Sequence, residues 1–171
     1  MFKKFAENSI FHIILLSFIA VLTFLPTLEN FFYLDEWGAL YDFTHSEYKF
    51  YIFTTHLFYL LYSLFDINAI GHFGVGIAIY TLSVVLFYFF ISQLLSSKML
   101  GVIAGLILAT SPIGTDTTTM IWTYVAEGGY PLTVGLLILL LLYFKFFKER
   151  KVAYFLVVLL GFFLFLELEP R

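Results

Sequence analysis

From Phe73 to Leu95 the chain carries no Asp, Glu, Lys or Arg. As a helix this run is long enough to cross hydrocarbon, which takes about 20 apolar residues. Similar runs recur at Ile10 to Leu25, Met99 to Pro112, Tyr130 to Phe144 and Val152 to Leu166. The chain is 61% hydrophobic, against roughly half in a soluble domain. With 171 residues it is too small to hide that much apolar surface in an aqueous fold, so lipid is the expected solvent for most of it. The expected fold class is all-α: one polytopic membrane helical bundle over 1–171. It has about five transmembrane helices, near 10–25, 73–95, 99–113, 130–147 and 152–168.

The start, Met1-Phe2-Lys3-Lys4, is basic, as in a secretory signal. No small-x-small cleavage pattern follows the first apolar run, so it reads as an uncleaved first span. His12 lies inside it and is expected to be a hydrogen-bonded side chain near the cytoplasmic interface. Between Pro26 and His72 the character changes. Acids gather at Glu29, Asp35, Glu36, Asp42, Glu47 and Asp66 against one base, Lys49. Within this outer loop, Phe50 to Phe65 is aromatic and broken by Thr54, Thr55, His56 and Ser63. That mixture suits the headgroup level, so an interfacial helix is expected rather than a span. Gly101 and Gly105 have the small-xxx-small spacing of packed membrane helices. Gly128-Gly129 breaks the chain, and Pro131 suits the first turn of a new helix.

Charge bias sets the expected orientation. With these spans the cytoplasmic segments hold Lys3, Lys4, Lys98, Lys145, Lys148, Arg150 and Lys151, leaving Lys49 and Arg171 outside. The acids divide the opposite way, with Glu7 and Glu149 inside and the others outside. The N-terminus is therefore expected in the cytoplasm and the Asp35 loop outside. If 50–65 also spanned, Lys145 to Lys151 would face outward and the bias would collapse.

The ionisable groups are sparse within the first four spans and dense at the outer rim. An ion-coupled transporter keeps such groups near the midplane, so the pattern favours chemistry or binding at the membrane surface. Few charges and long apolar runs exclude a nucleic-acid binder. Without cysteine, thiol chemistry and disulfides are excluded too. Asp35 and Glu36 are neighbours that point about 100° apart on a helix or to opposite faces of a strand, so they are not expected to do the same job. Asp35 and Asp42, seven apart, could share a helical face. A carboxylate at a semi-dry rim among other acids holds its proton more tightly and could serve as a general base. The same acids could hold a divalent cation, or form a solvated loop that simply keeps this segment outside.

The first span is followed by the acidic pair in Leu34-Asp35-Glu36-Trp37, the aromatic stretch Phe50 to Phe65, and a small-residue span ending in Ala109-Thr110-Ser111-Pro112. In this order and spacing the chain resembles the N-terminal part of the GT-C glycosyltransferases, which include the protein O-mannosyltransferases and the aminoarabinose transferases of lipid A. A further hairpin ends in Glu167-Leu168-Glu169. There the family often reads Lys-Glu, and this chain lacks that Lys. The resemblance implies transfer of a sugar from a polyprenyl-phosphate donor to an acceptor hydroxyl at the outer face of a bacterial or archaeal cell membrane. Asp35 would be the catalytic base or help place a metal, and Glu36 would hold the acceptor. Asp42, His56, Asp116 and Glu127 would border the substrate cavity. The donor and membrane lipid would be its partners, and a divalent cation its one candidate cofactor. Family members usually have about twice as many spans, so the resemblance also implies a truncated gene, a fragment or one half of a split system. A non-catalytic multispan subunit or scaffold is the alternative.

Overall fold

The structure, a computed structural model, describes residues 8–29, 60–111 and 129–168. Among these every regular element is helical: α1 (Ser9–Phe24), a 3-10 turn (Leu25–Glu29), a helical turn at 60–65, α2 (Ala69–Leu94), α3 (Lys98–Ala109), α4 (Gly129–Glu149) and α5 (Val152–Leu168). Of the stretch expected to form the interfacial helix only residues 60–65 are described, as a helical turn, and the remainder lies outside the described residues.

The helix boundaries follow from capping chemistry. The Asn8 side chain accepts from the backbone N–H of Ile10 at 3.0 Å and of Phe11 at 3.3 Å. Asn68 accepts from Ile70 at 3.2 Å, and Ser97 from Leu100 at 3.4 Å. Each satisfies N–H groups that a first turn leaves without partners. At the other ends, Asp66, Ser96 and Arg150 have φ of 50°, 50° and 55°. That left-handed residue reverses the chain, and it or the residue after it bonds back: Ser97 N to Ser92 O at 3.1 Å, Arg150 N to Phe146 O at 2.7 Å. α3 stops at Ala109, two residues before Ser111 meets Pro112, because the residue before proline is pushed out of the α region.

α1, α2 and α3 form the core. Leu16, Ala20 and Phe24 of α1 meet Ile77, Tyr80, Val84 and Tyr88 of α2, with Val102 and Ala109 of α3. Contacts fix the directions. His12 bonds Tyr88 while Phe24 stacks edge-on to Tyr80 at 4.8 Å, so α1 runs against α2. Gly101 lies at the Tyr88 carbonyl and the Tyr80 hydroxyl donates to the Leu108 carbonyl, so α3 also runs against α2. Gly101 permits that approach: a Cβ there would stand 2.8 Å from Tyr88 O, a backbone atom that cannot yield. Gly105 accommodates Leu16 of α1, whose Cδ1 would meet an added Cβ at 2.9 Å. α4 packs on α2, with Phe90 and Phe144 rings 5.8 Å apart, and α5 folds back on α4.

Two helices, Ser9–Glu29 (mean hydropathy 2.3) and Ala69–Leu94 (2.2), are long and apolar enough to cross a membrane. α2, with 26 residues, extends roughly 39 Å, beyond the ~30 Å hydrocarbon core. Only 22% and 33% of these two segments is buried, whereas a soluble core helix would be mostly covered. Lys98–Ala109 and Val152–Leu164 are apolar but shorter. At 12 residues, α3 reaches only ~18 Å. The expectation of about five spans is therefore met, by length and composition, at two.

Candidate functional site

The residues singled out in the sequence, Asp35, Glu36, Asp42, His56, Asp116 and Glu127, all lie outside the described residues. What the structure does place is the pair of anchors from which each of their segments departs. Segment 30–59 joins Glu29 to residue 60. The 3-10 turn ending at Glu29 packs on α2, and residues 60–65 turn directly into the start of α2. There the His72 ring nitrogen Nε2 lies 2.9 Å from the Asp66 carbonyl and Phe65 covers Gly71. Segment 112–128 leaves from the end of α3, which runs toward the start of α2, and returns at the start of α4. Since α2 and α4 share their C-terminal ends, all four anchors lie toward one end of the bundle.

Bases occupy the opposite end. Lys98 opens α3, Lys145 and Lys148 close α4, and Arg150 and Lys151 form the turn into α5. These are all the bases among the described residues. The backbone directions thus separate charge along the bundle axis: Glu29 and Asp66 at one end, five cations with Glu149 at the other.

At the acidic end, Tyr62 hydrogen-bonds the Asp66 carboxylate, which holds the phenol proton more tightly than usual, with burial and the carboxylate charge adding to the effect. His72 is fully buried beside it, edge-on to Phe65 at 5.8 Å. Sequence reasoning passed over Tyr62 and His72. Their signal is the spacing Tyr62, Asp66, His72, which returns to one neighbourhood once Asp66 adopts its left-handed turn.

Inside the bundle, His12 is 3% exposed and its Nδ1 lies 3.1 Å from the Tyr88 hydroxyl, rings edge-on at 5.7 Å. This pair is internal structure, closed off by packing. At the basic end Lys151 Nζ sits 3.0 Å and Lys145 Nζ 3.9 Å from the Glu149 carboxylate. Lys151, as hydrogen-bond donor, holds Glu149 below the usual carboxylate range, and Glu149 in return raises Lys151. Both groups are exposed, so the pair orients side chains more than it stabilises the fold. Among the described residues no three His, Asp or Glu side chains group as metal ligands.

The fold thus defines a class: an all-helical, strongly apolar bundle whose two long helices point to a membrane protein. Compared with protein-family models, curated proteins and solved structures, the chain gives no match.

Proposed function

We propose that the chain is a multispan membrane protein of the class it resembles, a GT-C-type glycosyltransferase or a piece of one. It would act at the outer face of the membrane on a polyprenyl-phosphate-linked sugar. Its five helices cross in alternating directions, with the N-terminus and the basic end in the cytoplasm. The observation that carries this reading is the placement of the anchors. The segment bearing Asp35 and the segment bearing Asp116 and Glu127 both depart from the end opposite the bases. By the bias of Lys and Arg toward the cytoplasm, that end faces outward, where a lipid-linked sugar presents its head.

In the proposed step the Asp35 carboxylate takes the proton of an acceptor hydroxyl. The hydroxyl oxygen bonds to the anomeric carbon, the bond from that carbon to phosphate oxygen breaks, and polyprenyl phosphate leaves with the electron pair. Glu36 holds the acceptor, and Asp42, His56, Asp116 and Glu127 border the cavity. Membranes carrying the full chain, supplied with a labelled polyprenyl-phosphate sugar, test it. Asp35→Asn should lower transfer at least ~100-fold, the scale of general-base catalysis, while the protein stays inserted. Unchanged transfer in that variant removes the mechanism.

One observation favours a non-catalytic subunit instead. α5 leaves Leu156, Leu160, Phe163 and Leu164 more than half exposed, a face open to a partner helix as well as to lipid. Gly101 and Gly105 do not separate the two readings, since α2 and Leu16 of the same chain already fill them. A subunit tolerates Asp35→Asn and loses its partner on Leu160→Gln.

A further inference from the structure

Between the C-terminal ends of α2 and α4 lies a groove of about 500 Å³, within the range of small-molecule sites. It is lined by Ile138, Leu141 and Leu142 of α4, by Lys145 and Lys148 farther along the same helix, and by Gln93 of α2. The spacing 138, 141, 145, 148 keeps these α4 residues on one helical face. An apolar strip therefore runs along the helix and ends under two cations. Lys145 is steered by a ring: its Nζ lies 4.9 Å from the centroid of Tyr154 on α5. Lys148 has no ion pair among the described residues. Glu149 also lines the groove; Lys151 engages its carboxylate at 3.0 Å and Lys145 stands farther off, at 3.9 Å.

We propose that this groove binds an anionic phospholipid at the basic end of the bundle, phosphate at Lys145 and Lys148 and one acyl chain along Ile138, Leu141 and Leu142. The inference rests on the chain residing in a bilayer, not on glycosyl transfer. The occupant is chosen by charge and shape together. Four bases, Lys145, Lys148, Arg150 and Lys151, crowd this end against the single acid Glu149. The apolar strip begins where the cations stop, which matches a lipid and exceeds what a free phosphate needs. The helix ends themselves do not supply the attraction. The carbonyls that close α2 and α4 carry negative partial charge and disfavour an anion, so the lysines must provide it.

The test is native mass spectrometry of the full chain released from nanodiscs of phosphatidylcholine with a minor fraction of phosphatidylglycerol. Wild type should retain phosphatidylglycerol well above its share of the bilayer. Lys145→Gln with Lys148→Gln should reduce that enrichment roughly a hundredfold, the loss of two charge-assisted hydrogen bonds to the phosphate. Lys98→Gln with Arg150→Gln removes the same charge at the same end but outside the groove, and should leave enrichment nearly unchanged. Leu141→Gln should weaken retention, and millimolar inorganic phosphate should not displace the lipid. Equal enrichment in wild type and the Lys145/Lys148 variant overturns the proposal, as does equal loss in both double variants. Displacement by phosphate reduces the site to an anion site and overturns the lipid assignment. Failure of wild type to enter nanodiscs overturns the membrane residence beneath it, whereas loss of enrichment with normal insertion leaves the glycosyltransferase reading standing on its own test.

Discussion

At the scale of single residues, the buried polar groups are placed where the fold has least room for error. His12 and Tyr88 satisfy each other inside the core. Tyr88→Phe leaves the imidazole without that bond, and should lower stability in detergent by about 1 kcal/mol, read as a fall in Tm. Replacing both, as His12→Leu with Tyr88→Phe, should recover part of the loss, because removing both partners leaves no orphan. Failure of the double variant to recover would mean that the bond adds nothing beyond packing. Ser96 makes the opposite case. Its φ of 50° strains a side chain that glycine lacks. Ser96→Gly should raise Tm, by up to about 1 kcal/mol of stability. His12 as a hydrogen-bonded residue was legible from the sequence, since a lone imidazole in an apolar run needs a partner. Which partner it takes, 76 positions away, was not.

At the scale of helices, glycine positions rank the interfaces. Gly101→Ala sets a methyl against the Tyr88 carbonyl, a fixed atom, and should cost about 1–3 kcal/mol by forcing α2 and α3 apart. Gly105→Ala meets only the movable end of Leu16 and should cost less. Gly74→Ala meets nothing within 4 Å and should be neutral or stabilising by up to about 1 kcal/mol, the difference in helix propensity. Thermal unfolding of the three variants side by side checks the order, and a Gly74 variant as damaging as the Gly101 one would contradict the packing. The small-xxx-small spacing pointed to Gly101 and Gly105 in the sequence. Their different partners, Ser92 and the Tyr88 carbonyl of α2 for Gly101 and Leu16 of α1 for Gly105, depend on how three helices meet. The end of α3 at Ala109 depends on Pro112, two residues past the point where its last hydrogen bonds close.

At the scale of the whole molecule, the decisive feature is the separation of charge along the bundle. Single cysteines at positions 35 and 148 should be labelled by impermeant reagents from opposite sides of the membrane, and labelling of both from one side would invert or dissolve the proposed orientation. The sequence by itself determined that the chain is helical and apolar and which residue types are too costly to leave in lipid, but it began the second span at Phe73, whereas α2 starts at Ala69 behind its Asn68 cap. Those properties are local: capping, proline, and the transfer free energy of each side chain act through near neighbours in the chain. The alternation of spans already put the described bases on one side and both acidic segments on the other; only the tertiary structure decided which helices pack together to bring them there, and that Lys145 and Lys148 line a groove with Gln93. These are contacts between residues tens of positions apart. They follow from which helix faces interdigitate, and steric fit between faces is a property of shape in space that no run of neighbouring residues carries.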